Sequence, residues 1–149
     1  MKMRINTRFS VAVHVLALLA LSDGSSLTSE TISMSVGNHP VAVRQMMSAL
    51  KKAGLVRTQN GLPGGRLAKS PEEITLCEIY QAVKKPDESP LFDIHPSPSP
   101  QCPVGCGIQG ALAGPFQHAQ EAMEDALKRY TLTDITSYIL SNYTGDTDN

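Results

Sequence analysis

Arg44, Gln45, Arg57, Gln59, Asn60 and Arg66 fall within 23 consecutive residues. A guanidinium or a carboxamide is planar and presents hydrogen-bonding groups side by side, so each can engage two partner atoms at once. That geometry suits phosphate oxygens and nucleobase edges: arginine forks onto guanine and a carboxamide onto adenine, each good pair discriminating by about 1–3 kcal/mol. Among these side chains runs Gly61-Leu62-Pro63-Gly64-Gly65, a turn whose backbone can lie close to a polyanion. It lacks the Lys-Ser/Thr pair of a nucleotide-binding loop, so nucleotide binding is not expected. A second set of reactive groups is sulfur. Cys102 and Cys106 flank Pro103-Val104-Gly105, a turn able to bring two thiols within disulfide reach. Cys106 also lies near the start of a helical segment, where a thiolate is favoured. The alternative for Cys102 is a small buried hydrophobe, and Cys77 falls on the packed side of its own helix.

The elements that must position these groups can be read from punctuation and periodicity. A first helix is expected from an Asn6 cap to about Ser22, stopped by Asp23-Gly24, with Arg8 inside it and Arg4 just before it. Its apolar run, Val11 to Leu21, imitates a secretory signal, but no convincing cleavage site follows and it is too short to span a bilayer. A short second helix spans Ser29 to Val36, capped by Thr28 or Ser29. Asn38-His39 turns into a third helix with Pro40 at its first position, running to about Ala53 and ending at Gly54. Asn38, His39, Val41, Arg44 and Gln45 then occupy its leading half, where side chains reach a base edge. Lys51 and Lys52 sit at its far end, where they suit the helix dipole. Leu55-Val56 and Arg66-Leu67-Ala68 read as two short strands around the glycine turn. A basic helix followed by a basic hairpin is the outline of a winged helix-turn-helix.

Beyond the hairpin, Thr75-x-x-Glu78 reads as a capping box for a helix through Val83. Six of the ten prolines lie between Pro86 and Pro103, so an extended loop is expected there. Phe116, Ala119, Met123, Ala126, Leu127 and Tyr130 form a helical stripe from 116 to 130 with an acidic back. Thr131 or Thr133 caps a last helix, Asp134 to Leu140. The segments are therefore 1–85, a winged helix-turn-helix; 86–101, a proline-rich loop; and 102–149, a helical dimerisation arm. The fold class expected is mainly α with a small β-hairpin wing.

The formal net charge of −1 conceals a split. Residues 1–69 carry nine Lys/Arg against Asp23 and Glu30, a net +7, whereas residues 70–149 carry a net −8. A polyanion partner is thus implied for the first half only. Three cysteines make no disulfide framework, which suits a reducing cytoplasm.

Asn6 to Ala12, Leu50 to Val83, Cys102 to Gly105 and Thr131 to Ile135 together resemble the Rrf-two family of bacterial winged-helix repressors. His39 to Gln45 and Leu91 to Pro96 look closest to its YwnA-type subgroup. The resemblance spans nearly the whole chain. It implies a homodimer built on the long helix after the loop, binding double-stranded DNA at a near-palindromic operator. Cluster-binding members carry three cysteines in the loop and at the start of that helix; only Cys102 and Cys106 lie there, so no cofactor or metal is expected. The expected DNA-facing set is Arg4, Arg8, Asn38, His39, Val41, Arg44, Gln45, Arg57, Gln59, Asn60 and Arg66, with Cys102 and Cys106 as a redox-sensing pair and the effector unspecified. Three other readings stay open: an iron–sulfur or thiol sensor acting through Cys102/Cys106, a thiol or metal enzyme, and a winged helix kept for protein interaction. Nothing in the sequence assembles a catalytic constellation, so enzymatic activity is not expected, nor is a membrane partner.

Overall fold

A computed structural model describes residues 7–85 and 90–143. Its contacts divide the chain into two units, one of residues up to Lys84 together with Lys128 onward, the other of Lys85–Leu127.

The first unit is built from α1 (Thr7–Ala20), α2 (Ser29–Val36), α3 (Pro40–Lys52), β1 (Val56–Arg57), β2 (Arg66–Leu67), α4 (Leu76–Val83) and, from the far end of the chain, α6 (Leu132–Asn142). The expected winged helix-turn-helix is present. α1 stops at Ala20, two residues short of the expected end at Ser22, because Asp23 and Gly24 both adopt positive φ and Ser22 Oγ donates to the Leu19 carbonyl. The proposed Asn6 cap lies outside the described residues. Thr28 caps α2, accepting from Thr31 N–H, and Gly37 closes it at φ 79°. Ala12, Val15, Leu16 and Leu19 of α1 meet Ile32, Val43, Leu50, Ile79 and Val83 in one core, and Phe9 packs edge-on against Tyr80 at 5.6 Å.

The segment around Thr131 is tied into this core by backbone. Leu76 N–H donates to Tyr130 O at 2.9 Å, Leu132 N–H donates to Ile74 O at 2.8 Å, and Thr75 bridges Thr131. Thr131, not Thr133, caps α6, and its capping box with Asp134 is complete. The box expected at Thr75 is only half formed. Thr75 accepts from Glu78 N–H at 3.1 Å, but the Glu78 carboxylate instead takes the Lys69 ammonium, 3.2 Å from each oxygen. Contacts thus group α6 with the N-terminal elements rather than with the helix before it.

The second unit is α5 (Pro103–Lys128) and the chain leading to it. The stripe expected from Phe116 is the second half of a 26-residue helix that starts at Pro103 and runs through Pro115. Its half-buried side extends upstream, through Ile108, Leu112, Phe116, Ala119, Met123 and Leu127. Residues 91–99 lie along it in the opposite direction. Leu91 N–H donates to Gln120, Phe92 stacks on Phe116 at 5.2 Å, and Gln109 donates to the His95 carbonyl. At the lower end the Ser99 backbone lies so close to Gly105 that a β-carbon there would collide with it. Residues 91–99 are therefore extended and pinned to α5 as a strap.

Candidate nucleic-acid interface

The reading helix is set at its first turn. The His39 imidazole accepts from Val41 N–H through Nδ1 at 3.2 Å, and Pro40 follows as the first helical residue. Val43, Met46 and Leu50 are buried, which turns Val41, Arg44, Gln45 and Ser48 to solvent, with Asn38 exposed just ahead. The structure thus brings Asn38, Val41, Arg44 and Gln45 to one accessible end. His39 is exposed there too and also caps the helix. With Nδ1 occupied as the cap, the ring can offer outward only its Nε2 edge.

Arg44 is engaged as well. Its Nη2 lies 2.9 Å from Glu30 Oε1, in the first turn of α2, and both side chains are more than half exposed. The Glu30 carboxyl is held below its usual range by a hydrogen bond from its own backbone and then by the Arg44 guanidinium. Sequence reading missed Glu30 because the pair is separated by 14 residues, a distance at which no local periodicity signals contact.

The hairpin places Arg57 directly opposite Arg66 in the β1–β2 register. Like charges facing across an antiparallel pair repel. Arg66 Nη2 donates to Gln59 Oε1 at 2.7 Å, so Gln59 orients an arginine as well as facing solvent. Arg57, Thr58, Gln59 and Arg66 line a surface cleft of about 360 Å³. Two guanidiniums, a hydroxyl and a carboxamide around one cleft are donors in search of an anion. Asn60 is exposed in the turn beyond.

The wing is fastened to the reading helix through glycine. Leu27 and Gly65 exchange both backbone hydrogen bonds, at 3.2 and 3.1 Å. Gly65 is packed so closely that a β-carbon would sit 2.6 Å from Met47 Cε of α3 and 3.0 Å from Val56 Cγ1. Arg8 is half-buried on α1, and Arg4 lies outside the described residues.

The sulfur groups are arranged differently from expectation. Pro103-Val104-Gly105 is the first turn of α5, not a flexible loop, and Cys106 N–H donates to the Cys102 carbonyl at 2.8 Å. Cys102 precedes the helix, exposed, and its thiol is pulled below the ordinary range by the N–H groups of Gly105 and then Val104. Cys106 is exposed, and Cys77 is buried as expected. Among the described residues no three His, Cys, Asp or Glu side chains converge as metal ligands.

A family model described as Rrf2, iron-dependent transcriptional regulator, matches residues 5–138. The chain belongs to the Rrf2 family. It is 44% identical to YwnA of Bacillus subtilis (strain 168), classed as an HTH-type transcriptional regulator, over 135 residues that cover 91% of this chain and 98% of YwnA. A crystal structure of a protein classed as DNA binding matches with TM-score 0.71 and 41% identity, covering 86% of this chain and 97% of that one. T. potens IscR shares the fold at TM-score 0.70 with 18% identity, over 98% of this chain and 95% of its own. This Rrf2 protein is a DNA-binding transcription regulator with a winged-helix fold. The iron in the family description finds no matching donor set here: two thiols one helical turn apart, with no third ligand among the described residues, do not fit an iron–sulfur cluster.

Proposed function

We propose that this Rrf2 protein is a homodimeric repressor in the cytoplasm, reading a near-palindromic operator with the leading half of α3 while the wing grips flanking phosphates. The observation that carries this reading is an exposed Arg44-Gln45 end on α3 together with a wing cleft framed by the opposed Arg57 and Arg66. A phosphate between two facing guanidiniums relieves their repulsion, so the cleft gains most from an anion with several acceptor oxygens. Asn38, Val41 and Gln45 are assigned to base edges, and Asn60, Gln59, Arg57 and Arg66 to the backbone, with Arg8 and Arg4 as outer anchors. No catalysis is assigned. Among the described residues no helix is long and apolar enough to cross a membrane.

Dimerisation is supported by the composition of α5. Gly105, Gly107, Gly110, Gly114 and Pro115 lie within it, and these residues together disfavour a lone helix by about 6 kcal/mol relative to alanine. None of its residues is buried in the single chain. A weak helix with a continuous apolar side is stabilised by burying that side, and a second copy is the symmetric way to do so.

The test is anisotropy titration of a duplex selected by the protein from a randomised pool, repeated across salt concentration. Affinity should fall steeply with salt, and Arg66→Ala should reduce the slope by about 1 per subunit, or about 2 for the dimer. A wild-type protein that selects no sequence, or a slope unchanged by Arg66→Ala, would refute the assignment.

One observation favours a thiol-responsive form of this regulator. The pKa of the exposed Cys102 thiol at the head of α5 is lowered by the N–H groups of Gly105 and Val104, which favours the thiolate form that reacts with peroxides to give a sulfenic acid. Peroxide should then alter operator affinity in wild type and not in Cys102→Ser.

A further inference from the structure

Glu30 is an anomaly on a surface meant for DNA. Between Gly24 and Pro71 it is the only acidic residue, and it sits at the front of α2, exposed, within reach of the reading helix. A bare carboxylate there repels phosphate and would weaken binding of every sequence alike. Its contact shows what it does instead. One oxygen takes one N–H of Arg44 at 2.9 Å, leaving the remaining donors of the five-donor guanidinium directed elsewhere.

Resting on the DNA-binding reading above, we propose that Glu30 is a specificity-determining residue that tethers and neutralises Arg44, so that this arginine serves base edges rather than phosphates. The physics separates the two targets. A phosphate is charged, so it is attracted by a free guanidinium and repelled by the neighbouring carboxylate; against the Glu30–Arg44 pair the two effects largely cancel. A guanine edge is uncharged and asks only for two aligned N–H donors, which the pair still supplies. Fixing the arginine also removes rotamer freedom before DNA arrives, so less is lost on binding. The exposed pair contributes little to stability, which leaves its effect on partner choice as its consequence.

The experiment uses the full-length protein, a duplex that the wild type selects from a randomised pool, and a scrambled duplex of equal length. Glu30→Gln should raise affinity for the scrambled duplex by about three- to tenfold, with a steeper salt dependence, and should lower the selected-to-scrambled ratio by a similar factor. In an Arg44→Ala background the same substitution should leave that ratio unchanged. A thermal melt checks that each variant folds. Equal strengthening on both duplexes would show only a general charge effect and overturn the proposal. A ratio that falls just as far without Arg44 would overturn it too. A wild type with no preference between the duplexes would overturn the DNA reading itself, an outcome distinct from either.

Discussion

Replacing Gly64 by alanine should destabilise the protein by about 3–4 kcal/mol, whereas the same change at Gly61 should cost about 1–2 kcal/mol. Both glycines lie in the wing turn at almost the same backbone angle, φ 86° and 84°, so the left-handed penalty of about 1–2 kcal/mol is common to them. Their surroundings differ. A β-carbon on Gly61 meets nothing within 4 Å. On Gly64 it would run into the Leu27 carbonyl oxygen and come within 2.5 Å of the Leu27 carbonyl carbon and 3.0 Å of Thr28 N. Those are backbone atoms with no flexible end to swing aside. Relief requires parting Leu27 from Gly65, which sacrifices two backbone hydrogen bonds at about 1 kcal/mol each. Urea denaturation followed by circular dichroism measures the difference, and the melting temperature of Gly64→Ala should fall by about 10 °C. DNA affinity should fall with it, since the Leu27–Gly65 bridge holds the wing. If the two alanine variants lose the same stability within about 0.5 kcal/mol, the close approach at Leu27 is not a constraint and the reasoning fails.

Thr131→Ala removes the complete capping box of α6 and should cost about 1 kcal/mol in urea denaturation, while Thr133→Ala should cost less than half of that. Cys102 should alkylate with a pH midpoint below the usual thiol value of about 9.0 and react faster than Cys106; because its folded-state pKa is lowered, its contribution to stability is present at pH above the unfolded thiol's value and lost as pH falls through the folded one. A Cys102 midpoint at or above the usual thiol value would argue against stabilisation of its thiolate by the N–H groups of Gly105 and Val104. Met123→Glu places a charge in the apolar stripe of α5 and should shift sedimentation from dimer to monomer.

The parts of the fold legible in the sequence are those set by residues a few positions apart. Thr28 with Thr31, His39-Pro40 and Gly54 fix helix ends through local capping and positive φ, and α2 was bounded to the residue. The apolar stripe marks only the second half of α5, for an equally local reason. Gly105, Gly107, Gly110, Gly114 and Pro115 all speak against helix, and what favours helix there is packing: the strap of residues 91–99 contacts it through pairs such as Phe92–Phe116 and His95–Gln109. Packing between segments so spaced leaves no periodic trace. The same limit explains why the helix reads as starting near Cys106, when Pro103-Val104-Gly105 already form its first turn.

For the candidate site, side-chain types were legible and partners were not. The sequence yields a +7 half, which implies a polyanion partner without saying which cations meet it. The structure reduces that inventory: Arg44 is matched by Glu30, Lys69 by Glu78, Arg8 is half-buried, and Arg66 is oriented by Gln59. Arg57, Lys51 and Lys52 remain exposed, and Arg66 shares the cleft with Arg57. Salt dependence counts phosphates neutralised, not cations encoded. If the paired cations keep their partners on DNA, the slope per subunit follows this smaller set. Arg57→Ala and Arg66→Ala should then each flatten it, whereas Arg44→Ala should change sequence preference and leave the slope nearly as it was. A large slope change from Arg44→Ala would mean that its bond to Glu30 breaks on binding, and that the arginine serves phosphate after all.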